Sequence, residues 1–577
     1  MQFEIKRRPK NIHAKNLPDH LPDLIKHILS NRGIDSESQL NLSATGLLNF
    51  QLLKGIEQAV AVLTDALINK LYILVVGDFD ADGATSTALS CMVLGEMGHQ
   101  NVGYLVPDRF KMGYGLSKEL VEFACLKKQP DIILTVDNGI SSIEGIRYAQ
   151  SLGIRVVVTD HHLPGNEMPD ADAIVNPNQP GCNFPSKAAC GCTVVFYVMA
   201  ALKSELTKVG WFDTRPSPNM ADYLDLVALA TIADVVPLDH NNRIIVHQGL
   251  ARIRRGKCQP GIQAILDIAN KKAHRMTGTD LGFAVAPRLN AAGRMDDMSR
   301  GIECLMSPDL QQARLLAQEL ENLNQMRKDV ESDMQSQALT WLSQFREADA
   351  PEALPWGLCL YDDHWHEGVI GILASRIKEK LNRPVIAFAL SDNNVIKGSA
   401  RSIKGFHMRD ALDLVATRNP GLILKFGGHA MAAGLSIVSS GYNRFIEAFD
   451  QVVREHLTED DLNSVVWSDG DLPTDHLTIN MARAIREAGP WGQNFPEPQF
   501  DGIFRIVQQR IVGQKHLKLI VTPDEGKTLF DAIAFNIDLD VWPNSSEFIR
   551  MSYQLDENEF NGLVRLQLLV NKLEPVL

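Results

Sequence analysis

Residues 71–98 read LYILVVGDFDADGATSTALSCMVLGEMG, and the fold turns on how this stretch is read. Its first six residues are apolar and rich in β-branched types, the composition of a strand buried on both faces of a parallel sheet. Asp78, Asp80 and Asp82 follow at alternate positions, and a helical pattern begins at once. In an extended chain such residues face one way, so the triplet is expected to present three carboxylates to one side. Crowded like charges are unfavourable unless a cation or solvent relieves them. The spacing also opens a calcium loop of the EF-hand kind, with Gly83 in sixth place. Leu89 then stands where a bidentate glutamate is required, and a strand rather than a helix leads in, so that reading fails.

The same pattern recurs further along. IILTV from residue 132 runs into DNG, and IRVVV from 154 runs into TDHH, with the helical stretch SSIEGIRYAQSL between them. Strand and helix in alternation predict an open α/β sheet. Ligands of such sheets lie beyond the carboxyl ends of the strands, so Asp137, Asp160, His161 and His162 are expected to join the first cluster. Asp234, in DYLDLVALATIADVVPL, is a fourth contributor. Taken singly these are acidic turns and a helix-end carboxylate. Gathered together they require a counterion. Oxygen-rich ligation with an imidazole suits manganese or magnesium better than zinc, and the acids suffice for two divalent cations sharing a bridge. Two such ions about 4 Å apart are suited to attack on phosphorus, so phosphoester hydrolysis is the predicted chemistry. No GxxxxGK[ST] loop is present, which argues against a nucleoside-triphosphate motor.

At 577 residues the chain exceeds one core and is expected to hold about two to four domains. Hydrophobic residues make up 45% and charged residues 22%, an ordinary globular balance that predicts no long disordered tail. The basic start MQFEIKRRPK leads into no apolar stretch, and no membrane-length apolar run occurs, so a cytoplasmic chain without membrane contact is expected. Cys182, Cys190 and Cys192 cluster without a CxxC pair, and reduced structural thiols are expected rather than a zinc knuckle. A net charge of −13 opposes indiscriminate nucleic-acid binding but leaves room for one basic groove.

Residues 1–50 read as an N-terminal extension and 51–306 as the first α/β domain. From Ser307 a long helix is predicted, with Ser307 and Pro308 as start signals and Leu316, Leu320, Leu323, Val330, Met334 and Leu342 as its stripe. The polar stretch READAPEALP, 346–355, closes this 307–355 connector as a linker. Residues 356–455 alternate strand and helix signals again, predicting a second α/β domain that contains HWHEGVIGI, IKGSARS and KFGGHAMAAG. The glycine-rich KFGGHAMAAG is expected to run from strand into helix and bring backbone amides to phosphate. Residues 465–577 show strands parted by turn residues, predicting a small antiparallel barrel. Trp491, Phe495 and Phe500 are expected to pack between domains rather than stack on bases. Lys515, Lys518 and Arg550 are candidate groove charges, or ordinary protection of strand edges.

DFDADG, VDNG, DHH and ADVVPL, in this order, resemble the four motifs of the DHH phosphoesterases, and GGHAMAAG resembles the signature of their associated substrate-binding domain. With PRLNAAGRM, HEGVIGI, GSARS and the final barrel, the chain from about residue 50 is similar to the members that degrade single-stranded DNA from its 5′ end. The resemblance implies an α/β fold: a parallel-sheet DHH domain, a long helix, a DHH-associated domain and an OB-like barrel. It implies that Asp78, Asp80 and Asp137 serve one ion and Asp82, Asp137, His161 and Asp234 the other. His162 would contact the scissile phosphate, and Asp160 would orient the histidines. Arg288, Asn290, Ser399, Arg401, Gly428 and His429 become candidate strand-end contacts, while His366 and Glu367 read as substrate-loop or domain-interface residues. Implied partners are single-stranded DNA, single-strand-binding protein and repair helicases, with the chain acting as a monomer in recombinational and mismatch repair. Two other functions fit parts of the pattern: a hydrolase of short oligonucleotides, cyclic dinucleotides, pyrophosphate or polyphosphate, and a non-catalytic single-strand-binding scaffold. The extra barrel disfavours the first and the full ligand set disfavours the second.

Overall fold

The computed structural model describes residues 3–9, 16–108, 112, 115–347, 354–391, 394–539, 541–560 and 562–576. The chain divides into two compact units, one of residues 7–321 and 467–577, the other of residues 1–6 and 322–466. A short strand, β1 (Phe3–Arg7), opens the chain.

The larger unit is built on five parallel strands: β2 (Ile73–Val76), β3 (Val102–Leu105), β4 (Ile132–Val136), β5 (Arg155–Thr159) and β6 (Ala173–Val175). Their order is β3-β2-β4-β5-β6. Every residue of β2 and β4 is buried, as their unbroken apolar runs require. The chain passes from β2 outward to β3 and then returns to β4 on the other side. This reversal opens a crevice at the carboxyl ends of β2 and β4, where Asp78 and Asp137 lie. Pairing of Val76 with Thr135 and of Val136 with Thr159 brings the strand ends level. The helix Leu224–Ala233 is apolar on nearly all sides and correspondingly buried. The predicted N-terminal extension is stitched to the neighbouring helix His240–Arg254: Arg243 donates to the Gln39 carbonyl (2.9 Å) and Gln248 to that of Leu42 (2.6 Å).

The smaller unit carries β7 (Leu358–Asp362), β8 (Val385–Leu390), β9 (Val395–Arg401), β10 (Ile423–Gly428) and β11 (Ala432–Val438) in the order β10-β11-β9-β8-β7. Only β7 and β8 run parallel. Phe388, Phe445 and Phe449 centre its core. KFGGHAMAAG forms the β10–β11 hairpin, not the expected strand-to-helix turn: small residues on both strands let the backbones pair, Gly427 with Gly434 and Gly428 with Ala433. The strand β12 (Ser464–Ser468) pairs with β1.

The long helix spans Leu310–Glu347, 38 residues. It starts later than Ser307, because Asp309 supplies the cap by accepting the Gln312 amide (2.9 Å), while Ser307 donates to the Glu303 carbonyl. Leu316, Leu320, Met334 and Leu342 are buried. The stripe is broken by a polar group in the smaller unit: Glu331 accepts from Arg327 (2.5 Å) and Arg376 (3.0 Å). Of the predicted linker, residues 348–353 lie outside the described residues.

The C-terminal strands β13 (Phe500–Val512), β14 (His516–Thr522), β15 (Phe530–Ala534), β16 (Phe548–Phe560) and β17 (Leu563–Val576) close a barrel. It is not wholly antiparallel, since β15 and β17 run parallel, as Asp531–Gln567 and Ala534–Val570 pairing shows. The barrel is tied to the parallel-sheet domain by charge. Glu557 accepts from Arg275 (2.9 Å), Arg486 (2.7 Å) and Arg483, and Arg32 grips Asp469 through two bonds of 2.9 Å. Trp491 and Phe495 stack 5.1 Å apart and carry Arg32 and Arg243 over their rings, the interdomain packing expected of them. All eight cysteines are free thiols.

Candidate metal centre

Each acid of the rim is placed by a different local device. After β2 the chain does not stay extended through the aspartate triplet, contrary to expectation. Asp80 caps the helix Ala81–Glu96 by accepting the Gly83 amide (3.0 Å), so Asp82 falls in the first helical turn. The triplet therefore splits between two groups of donor atoms instead of lining one face. Gly83 is obligatory, because a Cβ there would stand 2.4 Å from the Asp78 carbonyl oxygen. Asp82 turns to the start of the helix Gly191–Lys208, where it accepts the amides of Gly191 (2.7 Å) and Cys192 (2.8 Å).

Asp137, immediately after β4, has φ +62°. A left-handed aspartate costs free energy that surrounding structure must offset, and such outliers gather at functional sites. Its amide is held by the Thr159 carbonyl (3.1 Å), and a Cβ on Gly191 would collide with its side chain at 2.5 Å. Asn138 donates to the carbonyls of Val76 and Val136, both at 3.0 Å, locking the ends of β2 and β4 together.

Beyond β5, Asp160 is fully buried. It accepts from the backbone amides of Ile140, His161 and His162 and pairs with His162 Nδ1 at 2.8 Å. Burial pushes its carboxyl upward, but the hydrogen bond and charge of His162 prevail and hold it below the ordinary range. Burial pulls His162 down, yet Asp160, Asp234 and Asp78 outweigh it and raise the imidazole to about 9. The His161 ring lies 4.4 Å from that of His162, with its Nε2 3.1 Å from Asp137, 3.5 Å from Asp234 and 4.0 Å from Asp82. Asp234 ends the helix Leu224–Ala233.

Three overlapping sets of donor atoms result, each within 4.8 Å: Asp78, Asp80 and Asp137; Asp82, His161 and Asp234; Asp137, His161 and His162. Burial and then mutual repulsion lift the carboxyls of Asp137 and Asp234 well above the ordinary range and that of Asp82 to about 6. Acids held this close, together with imidazole donors, fit divalent ions of the manganese or magnesium kind.

The remaining candidates fall elsewhere. Arg288 is buried on the helix Ala286–Met295, where its Nε lies 2.5 Å from Glu321 and its Nη1 donates to the Ala284 carbonyl. Asn290 accepts the Ala81 amide (2.8 Å), and a Cβ on Gly293 would meet the Phe79 carbonyl at 1.9 Å. PRLNAAGR thus buttresses the aspartate loop. In the smaller unit, Ser399 and Arg401 of β9 lie opposite Gly434 and Ala432, and Gly371 of HEGVIGI abuts both. Burial lowers Arg401. Gly428, at φ +139°, ends β10, and the His429 amide closes the hairpin on the Ala432 carbonyl. Glu367 pairs with Lys397 (3.0 Å), and His366 Nδ1 accepts the Gly368 amide. Sequence reading missed Asn138, Asn176, Asn178, Asn290 as a loop anchor, and the Gly191–Cys192 amides. Only the small residues of CGCT and the polar run NPNQ after an apolar AIV hinted at them.

Residues 72–231 match the N-terminal domain of the DHH family, 356–455 the DHHA1 domain and 468–572 the RecJ OB domain. The single-stranded-DNA-specific exonuclease RecJ of Dickeya dadantii is 53% identical over 576 residues, 99% of both chains. The chain belongs to the RecJ family. RecJ of Escherichia coli is 51% identical over 578 residues, the full length of both. The crystal structure of Thermus thermophilus RecJ with Mn2+ superposes with a TM-score of 0.81 at 28% identity, covering 99% of this chain and 79% of that one. The RecJ-type barrel is thus the OB domain anchored through Glu557.

Proposed function

We propose that this chain is a metal-dependent 5′→3′ exonuclease that hydrolyses single-stranded DNA to 5′-mononucleotides, acting in recombinational and mismatch repair. The observation that carries this reading is the convergence of Asp78, Asp80, Asp82, Asp137, His161 and Asp234 from three strand ends and one helix end onto one crevice. Asp78, Asp80 and Asp137 would hold one divalent cation, and Asp82, Asp137, His161 and Asp234 the other, with Asp137 shared. Manganese or magnesium would there ease attack by water and neutralise the charge that grows on the phosphate oxygens.

The chain's own groups do the rest. The Gly191 and Cys192 amides fix the direction of Asp82, and the left-handed turn at Asp137 aims that carboxylate at both donor groups. His162, its Nδ1 paired with Asp160, would turn its Nε2 to the scissile phosphate. Water bonds to phosphorus, the bond to the 3′ oxygen of the terminal nucleotide breaks, and that oxygen takes a proton. Ser399, Arg401 and the glycine-rich hairpin gripping a phosphate, and the OB domain leading the strand inward, complete the reading. Single-strand-binding protein, repair helicases and a monomeric enzyme are what the family resemblance supports.

Timed digestion of end-labelled single strands, blocked at either end and supplied with each metal, tests the proposal. Mononucleotides released from an open 5′ end with Mn2+ or Mg2+ are expected. Degradation that ignores a 5′ block, or survives chelation, would overturn it.

A further inference from the structure

The two histidines of the rim share a loop and their rings lie 4.4 Å apart, tilted by 55°, yet they face different acids: His161 Nε2 faces Asp137 and Asp234, while His162 Nδ1 pairs with Asp160. A loop of adjacent residues keeps two such orientations only if its peptide groups are fixed. On the amide side they are, since Asp160 Oδ1 accepts from His161 (2.7 Å) and His162 (3.1 Å). The carbonyl side is held by two asparagines beyond β6. Asn178 Nδ2 donates to the His161 carbonyl at 2.5 Å, and Asn176 Nδ2 to that of His162 at 2.9 Å. The asparagines are themselves joined, because the Asn178 amide donates to Asn176 Oδ1 at 2.7 Å. Asn176 has no exposed surface, and the strand before it is pinned to the loop by the Asp160 amide on the Val175 carbonyl (3.1 Å).

We infer that Asn176 and Asn178 are positioning residues, a clasp that sets the imidazole of His161 for metal ligation and that of His162 for the phosphate. The inference rests on the proposed metal-dependent reaction and deepens it. Neither asparagine reaches a donor group of the rim; each acts through the peptide group of a histidine. Outer partners that orient metal-binding imidazoles typically carry a tenfold to hundredfold share of metal affinity. The two should differ in dispensability. Asn176 is a fully buried member of the strand end, whereas Asn178 is half-buried and is the cleaner probe.

The test uses the full chain with Asn178→Ala and Asn178→Asp, the latter keeping the shape but losing the donor. Mn2+ binding is measured without DNA, by calorimetry and by electron paramagnetic resonance, alongside thermal melting in chelator. Both variants are expected to bind Mn2+ about tenfold more weakly, with melting in chelator within about 2 °C of the parent. Unchanged Mn2+ affinity in both variants would overturn the clasp. So would a fall in affinity matched by a collapse in melting temperature, which marks a merely structural bond. A parent protein that binds Mn2+ normally confines either failure to the clasp; a parent that binds none overturns the metal-dependent reading and the clasp together.

Discussion

The acidic rim and the junction between barrel and parallel-sheet domain use the same currency of buried charge to opposite ends. At the junction, Glu557 is ringed by Arg275, Arg483 and Arg486, and hydrogen bonds from them overcome burial to hold its carboxyl below the usual range. At the rim, burial and then repulsion from neighbouring acids drive the carboxyls of Asp82, Asp137 and Asp234 upward. One arrangement is complete within the chain. The other is preorganised for charge from outside and is unfavourable until that charge arrives. A carboxylate cluster that stabilised the fold unaided would have no reason to take up metal.

The contrast is most sharply tested by Asp137→Ala. It should lower single-strand hydrolysis by about 10³-fold or more while circular dichroism remains that of the parent. Parental turnover would break the comparison at its root. A second test is the response to pH and metal. With Asp82 raised from 3.8 to about 6, the associated stability is fully present below about pH 4 and is lost as pH rises through about 6. Ion-free protein is therefore expected to melt higher at pH 5 than at pH 7.5. Mn2+ at a hundred times its Kd should return about 2.7 kcal/mol, and at fixed Mn2+ the gain should shrink toward pH 5 as protons compete. Scanning calorimetry at the two pH values checks both signs.

At the junction, Glu557→Gln should cost about 2 kcal/mol in denaturant unfolding, because Arg483 and Arg486 lose their anion while Arg275 keeps Glu559. Mn2+ affinity should not move, and a parallel loss would show that the two charge systems are coupled. The smallest effect is expected from Arg550→Ala on the barrel, where the side chain is half exposed and only loosely paired with Glu574 at 3.4 Å. If it meets one phosphate, the slope of log affinity for long single strands against log salt should fall by about one, with short substrates unaffected. An unchanged slope would return Arg550 to edge protection.

The sequence by itself determined the two α/β domains, the barrel and the rim, because unbroken β-branched runs can be satisfied only inside a parallel sheet and each ends in acids. It also announced the metal class, since donor type is a property of side chains. What it left open was everything set by approach between distant segments. Residues 78–82 read as extended chain until Asp80 capped a helix by accepting the Gly83 amide, and nothing in PRLNAAGR foretold that Asn290 and Gly293 would meet the aspartate loop. The hairpin of KFGGHAMAAG and the parallel β15–β17 pair depended likewise on which backbone lay alongside. Only the tertiary structure decided that Asp82 faces a helix start 109 residues away, that Asp137 bends left-handed beneath Gly191, and that the two neighbouring histidines face different acids. Hydrogen bonds and steric contact act over a few ångströms, and the chain must fold before those distances exist.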